Sequence, residues 1–278
     1  MRARCFFLLA LPLLAADPLS DKVTAWRTKY ETGLKSSTGW LSVAGLYWLE
    51  EGPNSAGTDA SNKIVLPAGP ARAGVFERKR EQVTWRPVSG PAKVLQSDKD
   101  LATPDLLTID RLTLFVIDRN GKIGLRLRDP KSQMRREFRA TKWFPIRPQY
   151  SLTGQFKPYP RNKTVMIPDV TGNTLKYESP GEVEFNVNGQ KLSLEPVLDE
   201  GQLFFVFKDK TSGKQTYGGG RMLYAPLPGP DNKVELELNI AKNPPCAFTP
   251  YATCPIPIKR NALNVAIEAG EQYVSLHE

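Results

Sequence analysis

The chain has 278 residues, 38 Lys and Arg against 29 Asp and Glu, and enough hydrophobic content (40%) for one large domain or two small ones. Its single His, His277, is next to last, which excludes a Ser-His-Asp triad, a Cys-His pair, the helical zinc-protease motif and His-rich metal sites from the body of the fold. The net charge of +9 is carried by scattered residues such as Arg78-Lys79-Arg80, Arg126, Arg128 and Arg135-Arg136; without interleaved aromatics they argue for solvated strand faces and against nucleic-acid binding.

Residues 1–16 are expected to be a secretory signal peptide. Met1-Arg2-Ala3-Arg4 is a basic start, Cys5 to Leu14 an apolar core, and Ala15-Ala16 a small-residue exit before Asp17. The apolar run is too short to span a bilayer, and no later stretch is long enough. The expected product is therefore exported, periplasmic or extracellular, with no membrane span. Loss of Arg2 and Arg4 lowers the formal charge from +9 to +7.

Residues 17–36 predict an amphipathic helix, with Leu19, Val23, Trp26, Tyr30 and Leu34 on one face, and core packing is the expected role of that stripe. Beyond it the period changes to two. Leu112 to Asp118 and Ile123, Leu125 and Leu127 flank Asn120-Gly121, a hairpin signal. Val183, Phe185 and Val187 lead into a second, through Asn188-Gly189 to Leu192 and Leu194. Leu203-Phe-Phe-Val-Phe207 has the length and continuity of a strand buried on both faces, and Val234, Leu236, Leu238 and Ile240 predict a half-buried one. Twenty-four prolines punctuate short strands and disfavour long helices. The expected class is mainly β, with antiparallel sandwich or barrel-like lobes after one N-terminal helix. A seam at Trp143-Phe-Pro-Ile-Arg-Pro148 divides an N-terminal β lobe, residues 37–142, from a C-terminal lobe, residues 143–278; one continuous domain is the alternative.

No Gly-x-Ser-x-Gly elbow occurs. Ser212-Gly-Lys-Gln-Thr216 lacks the upstream glycine of a phosphate loop and predicts a hairpin turn. Gly57 to Leu66 looks like the core stretch of forkhead-associated modules, but Thr58 stands where their Arg would be and the later His is missing. Cys246 and Cys254, in an exported chain, are expected to close a proline-rich loop as a disulfide. No metal and no cofactor is expected.

The densest polar cluster lies in the last third: Phe207-Lys-Asp-Lys-Thr-Ser-Gly-Lys-Gln-Thr-Tyr-Gly-Gly-Gly-Arg-Met-Leu-Tyr224, Asn243-Pro-Pro-Cys-Ala-Phe248 and Glu268-Ala-Gly-Glu271. At these residues the chain resembles the bacterial family of uncharacterised proteins called domain of unknown function 1684. Gly39-Trp-Leu-Ser-Val-Ala-Gly-Leu-Tyr-Trp-Leu-Glu-Glu-Gly52 and Trp143-Phe-Pro145 extend the likeness. The resemblance implies no established activity. It also shows a departure, because Ile240 and Lys242 stand where the family tends to have Arg and Tyr.

Within this cluster Gly219 and Gly220 permit a close backbone approach, and Arg221 supplies a bidentate cation for a carboxylate or phosphate. Asp209, Tyr217, Glu237 and Asn239 complete a candidate polar pocket. The plainer alternative makes Asp209–Gly213 a turn, the glycines a bulge and Arg221–Glu237 a structural bridge. The leading functional expectation is a non-catalytic β module for a small anionic or cell-envelope ligand. Alternatives are a hydrolase or isomerase using carboxylate and Tyr217 acid–base chemistry, and a structural envelope interaction domain.

Overall fold

The computed structural model describes residues 17–99 and 102–274. The signal-peptide expectation and His277 lie outside the described residues. No helix among the described residues is long and apolar enough to cross a membrane.

The expected helix spans Pro18–Lys35. Asp17 caps it, its Oδ1 accepting from the Leu19 amide at 3.1 Å, and Pro18 occupies the first position, where no N–H is needed. Val23 and Leu34 are buried. Trp26 and Tyr30 remain half-exposed and stack at 5.4 Å between ring centroids, with Trp143 edge-on to both. The stripe therefore packs only in part into the interior; its middle presents aromatic rings at the surface.

The remainder is mainly β, mostly antiparallel, with a short helix at Gln133–Glu137 and several 3-10 turns. Val43–Trp48, Lys122–Arg128, Leu112–Arg119 and Leu107–Ile109 form one sheet in that order. The predicted hairpin turns through Asn120 and Gly121, both at positive φ (57° and 85°), as a two-residue turn of this kind requires. A second sheet has the order Ile64–Val65, Gly52–Gly57, Gly74–Lys79, Gln82–Pro87, Lys93–Leu95, with one parallel pair at its edge. Phe76, Trp85, Leu114 and Leu125 belong to one apolar core under these two sheets.

Residues beyond 142 build separate sheets. Gln190–Leu194, Thr174–Val187, Ser151–Pro168 and Lys233–Glu237 make one of four strands. Val197–Asp199, Gln202–Phe207 and Arg221–Ala225 make another of three. The predicted double-faced burial of Leu203 to Phe207 is present: Leu203, Phe205 and Phe207 enter one core, Phe204 and Val206 another. Each such side chain contributes roughly 1.5–3 kcal/mol of apolar burial. Lys142–Trp143 pairs with Glu271–Gln272, closing the C-terminal segment onto the middle of the chain.

One expected strand is shorter than its alternation suggests. It ends at Glu237, and Leu238–Ile240 is a 3-10 turn. The Glu237 carboxylate accepts from the Asn239 amide at 3.1 Å and from Asn239 Nδ2 at 2.8 Å, so the chain bends where the apolar period continues.

Candidate functional site

The polar cluster of the last third folds into two structural groups. Arg221 is fully buried. Its Nη2 donates to Asp209 Oδ2 at 2.5 Å and to the Ile267 carbonyl at 3.0 Å, while Nη1 donates to the Ala269 carbonyl. The expected bridge to Glu237 is replaced by this buried pair with Asp209, which ties the 207–221 loop to residues 267–269. Asp209 Oδ1 meanwhile accepts from the Thr211 amide (2.7 Å) and hydroxyl (2.6 Å), closing the turn. Gly220 has φ +97°, and a Cβ there would meet the Phe207 carbonyl at 2.6 Å; a Cβ at Gly219 would meet the Tyr217 ring at 2.4 Å. The glycines serve close chain packing, and both Arg221 terminal nitrogens are spent on protein acceptors.

Glu237 and Asn239 form the second group. Asn239 Oδ1 accepts from the Arg147 amide at 3.1 Å and Nδ2 donates to the Arg147 carbonyl at 3.0 Å, stapling the 3-10 turn to the seam. Arg27 of the helix donates to the Asn239 carbonyl through Nη2 at 2.8 Å and lies 4.6 Å from the Trp143 ring centroid. Tyr217 packs edge-on against Tyr273, and its hydroxyl donates to the Cys246 carbonyl at 3.4 Å.

The expected disulfide is absent: Cys246 and Cys254 are free thiols. They are nonetheless neighbours, the Cys246 amide donating to Cys254 Sγ at 3.1 Å.

Concave surface lies instead around Tyr30, Lys242 and Glu271. A cleft of about 360 Å³ is lined by Trp26, Lys29, Tyr30, Gly33, Trp40 and Lys242, so the exposed part of the helix stripe forms its wall. Lys242 reaches it because its backbone pairs with Met222, at 2.8 and 2.9 Å, before Pro244-Pro245 stop any further ladder. Its Nζ lies 5.3 Å and 5.5 Å from the ring centroids of Tyr30 and Tyr224, and makes no hydrogen bond or ion pair among the described residues. Burial lowers the Lys242 pKa, against the attraction of Glu271 and Glu200.

A second cleft, about 310 Å³, is lined by Phe138, Thr141, Asn243, Phe248, Glu271 and Tyr273 among others. Glu271 is 1% exposed. Its Oε2 accepts from the Asn243 amide at 2.8 Å and from the Tyr30 hydroxyl at 3.2 Å, which joins the two clefts. Desolvation pushes the Glu271 carboxyl up to about 8 despite those bonds, and burial with the adjacent Glu271 raises Tyr30 well above a free phenol. Asn243 Oδ1 is buried without a partner among the described residues. No group of three or more His, Cys, Asp or Glu able to hold a metal occurs among the described residues.

Sequence reasoning places Lys242 only as a departure and Glu271 only as a member of the cluster. Tyr30 and Trp40, about two hundred residues earlier, carry no local sign of a site; their half-exposure beside the Asn243-Pro-Pro turn is a product of tertiary structure.

Residues 136–272 match the model of the family described as "Protein of unknown function (DUF1684)". The Asn243-Pro-Pro-Cys-Ala-Phe248 and Trp143-Phe-Pro145 stretches fall inside the match, and Gly39 to Gly52 lies outside it. An uncharacterized protein of Haloarcula marismortui, known from a solution NMR structure, is similar at 26% identity, covering 50% of this chain and 78% of that one, with a TM-score of 0.42. No curated protein matches.

Proposed function

From the premise that residues 136–272 carry a domain of unknown function of the DUF1684 family, we propose that the chain is an exported β module that binds a small organic anion in the cleft between Lys242 and the helix. One observation carries this reading: a half-buried ammonium that makes no ion pair among the described residues faces an aromatic-walled cleft. A desolvated cation is costly unless something pairs with it. A ligand with a carboxylate or phosphate at one end and an apolar or sugar ring at the other satisfies both features, the anion on Lys242 and the ring on Trp26, Tyr30 and Trp40. The cleft volume is that of a small-ligand site. Export is supported by the composition of residues 1–16.

The test is a thermal-shift screen of small carboxylates and phosphates, followed by titration calorimetry on any stabilising compound. Lys242→Met is expected to weaken binding on the order of tenfold to a hundredfold, the range of a lost charge-assisted hydrogen bond, while leaving the melting temperature of the free protein within a few degrees. Equal affinity of the variant overturns the assignment.

A second reading, an acid–base enzyme, is favoured by Glu271. A carboxyl held near 8 that lines a cleft and is bonded to a tyrosine hydroxyl has the protonation state of a general acid at neutral pH. Turnover of ester or glycoside substrates that is lost in Glu271→Gln and kept in Lys242→Met would favour it.

A further inference from the structure

Against the Trp40 ring that walls the first cleft, a buried arginine stands near the two thiols. Arg126, on the strand Lys122–Arg128, is 4% exposed. Its guanidinium lies 5.1 Å from the Trp40 ring centroid, its Nη2 donates to Thr253 Oγ1 at 3.1 Å, and its Nε is buried without a partner among the described residues. Asp98 acts on it from a distance, but both Asp98 oxygens are held by Arg119 at 2.9 Å. Arg119 also shares the Thr253 hydroxyl, through Nε at 3.0 Å. Two arginines thus meet one carboxylate, and burial lowers Arg126 to about 10. A buried guanidinium in this position calls for a nearby anion.

Besides Asp98, the anionic partner that acts on Arg126 is the Cys254 sulfur. Thr253 is followed directly by Cys254, and Arg126 exerts its field on both Cys254 and Cys246. Cys254 is buried at 4% exposure, whereas Cys246 is half-exposed. The environment separates them. The hydrogen bond from Cys254, with Arg126 assisting and Asp169 opposing, pulls the Cys246 thiol down; the same hydrogen bond and burial push Cys254 up. A partly exposed thiol hydrogen-bonded to a second, buried thiol, with a buried cation acting on both, has the arrangement of an attacking and a resolving cysteine.

We infer that Cys246 and Cys254 are a dithiol exchange pair acting on small disulfides, with Cys246 as nucleophile, Cys254 as resolving thiol and Arg126 as the positioning cation. The Cys246 thiolate, its proton given to solvent, attacks one sulfur of a disulfide R–S–S–R. The Cys246–S–S–R bond forms and one R–S⁻ leaves, taking up a proton. Cys254 then loses its proton to solvent and its sulfur attacks Cys246 Sγ. A Cys246–Cys254 disulfide forms and the second R–S⁻ is expelled and protonated. The substrate gains two electrons and the protein dithiol loses two.

The reduced chain, carrying Cys5→Ser so that only Cys246 and Cys254 remain, is incubated with glutathione disulfide and its mass followed without reductant. The wild type is expected to lose two hydrogens and release two glutathiones. Cys254→Ser should accumulate one glutathione, located on Cys246 by peptide mapping, and Cys246→Ser should accumulate none. On the Cys254→Ser background, Arg126→Lys and Arg126→Gln should move the pH midpoint of adduct formation upward, Gln more than Lys. The rate at pH 7 should fall roughly threefold to fourfold for every pH unit by which the midpoint rises, the lost thiolate fraction outweighing the gain in nucleophilicity. A folded wild type that does not react, an adduct carried by Cys254 alone, or an unchanged pH midpoint in both Arg126 variants overturns the inference. Should Arg126→Gln fail to fold, the Lys variant alone decides the last point.

Discussion

Single residues decide what the polar cluster can and cannot do. In the sequence Arg221 reads as a ligand grip because a cation beside glycines often is one; burial instead commits its terminal nitrogens to Asp209 and to the carbonyls of Ile267 and Ala269. Removing one partner of such a pair leaves the other buried and uncompensated, so Arg221→Met or Asp209→Asn is expected to destabilise the fold by about 3–5 kcal/mol in a denaturation experiment. The double replacement Asp209→Leu with Arg221→Met should recover part of that loss. A loss below about 1 kcal/mol for either single variant would show that the pair is not buried as described.

Glu271 makes a prediction of opposite character, in pH. Its carboxyl titrates near 8 in the folded chain and near its ordinary value of 4.5 in the unfolded one. Between those values the folded state holds a proton that the unfolded state does not. Its contribution to stability is therefore complete below about 4.5 and is lost as pH rises through about 8. The slope reaches about 1.4 kcal/mol per pH unit at most. Glu271→Gln should remove this slope, so the stability difference between variant and wild type should grow with pH in the variant's favour. A difference independent of pH between 5 and 8, measured at about six values, would contradict the buried placement.

At the scale of elements, much of the fold is legible and the reasons are local. The N-terminal helix shows itself through a capped apolar stripe, the hairpins through Asn120-Gly121 and Asn188-Gly189, and the central strand through an unbroken apolar run. These signals depend on a residue and its near neighbours. Termination of the strand at Glu237 is not legible, because the apolar alternation runs on through Leu238 and Ile240 and only the carboxylate's bonds to Asn239 bend the chain. The partner of Arg221 is equally hidden: Asp209 and Glu237 are both carboxylates at similar separations along the chain, and only the pairing of Gln202–Phe207 with Arg221–Ala225 brings the first one in. That junction can be tested through Gly220, where positive φ and the nearby Phe207 carbonyl leave no room for a side chain. Gly220→Ala should lower stability by about 1–3 kcal/mol, whereas Gly218→Ala, with only ordinary contacts to Gly213, should be nearly neutral. Equal costs in chemical denaturation would show that the loop adapts.

At the scale of the molecule, the sheets below and above residue 142 share no strand, yet side chains and carbonyls sew them together. Arg119 and Arg126 reach Thr253, the Thr249 hydroxyl donates to the Val43 carbonyl at 2.9 Å, and Arg27 binds the carbonyls of Phe144 and Asn239. The candidate cleft is a consequence of that assembly, since its walls come from the helix, from Trp40 and from Lys242. This explains why the site is only half visible in the sequence. Its C-terminal components sit in a polar, proline-marked cluster, while its aromatic wall reads as ordinary helix packing until the helix is laid against the Asn243-Pro-Pro turn.

The most direct test of anion binding beside Lys242 is native mass spectrometry of the purified protein, with Lys242→Met prepared in parallel. The wild type should retain a small anion that is lost on denaturation and missing from the variant. A bare wild-type chain, or the same molecule retained equally by Lys242→Met, would contradict it.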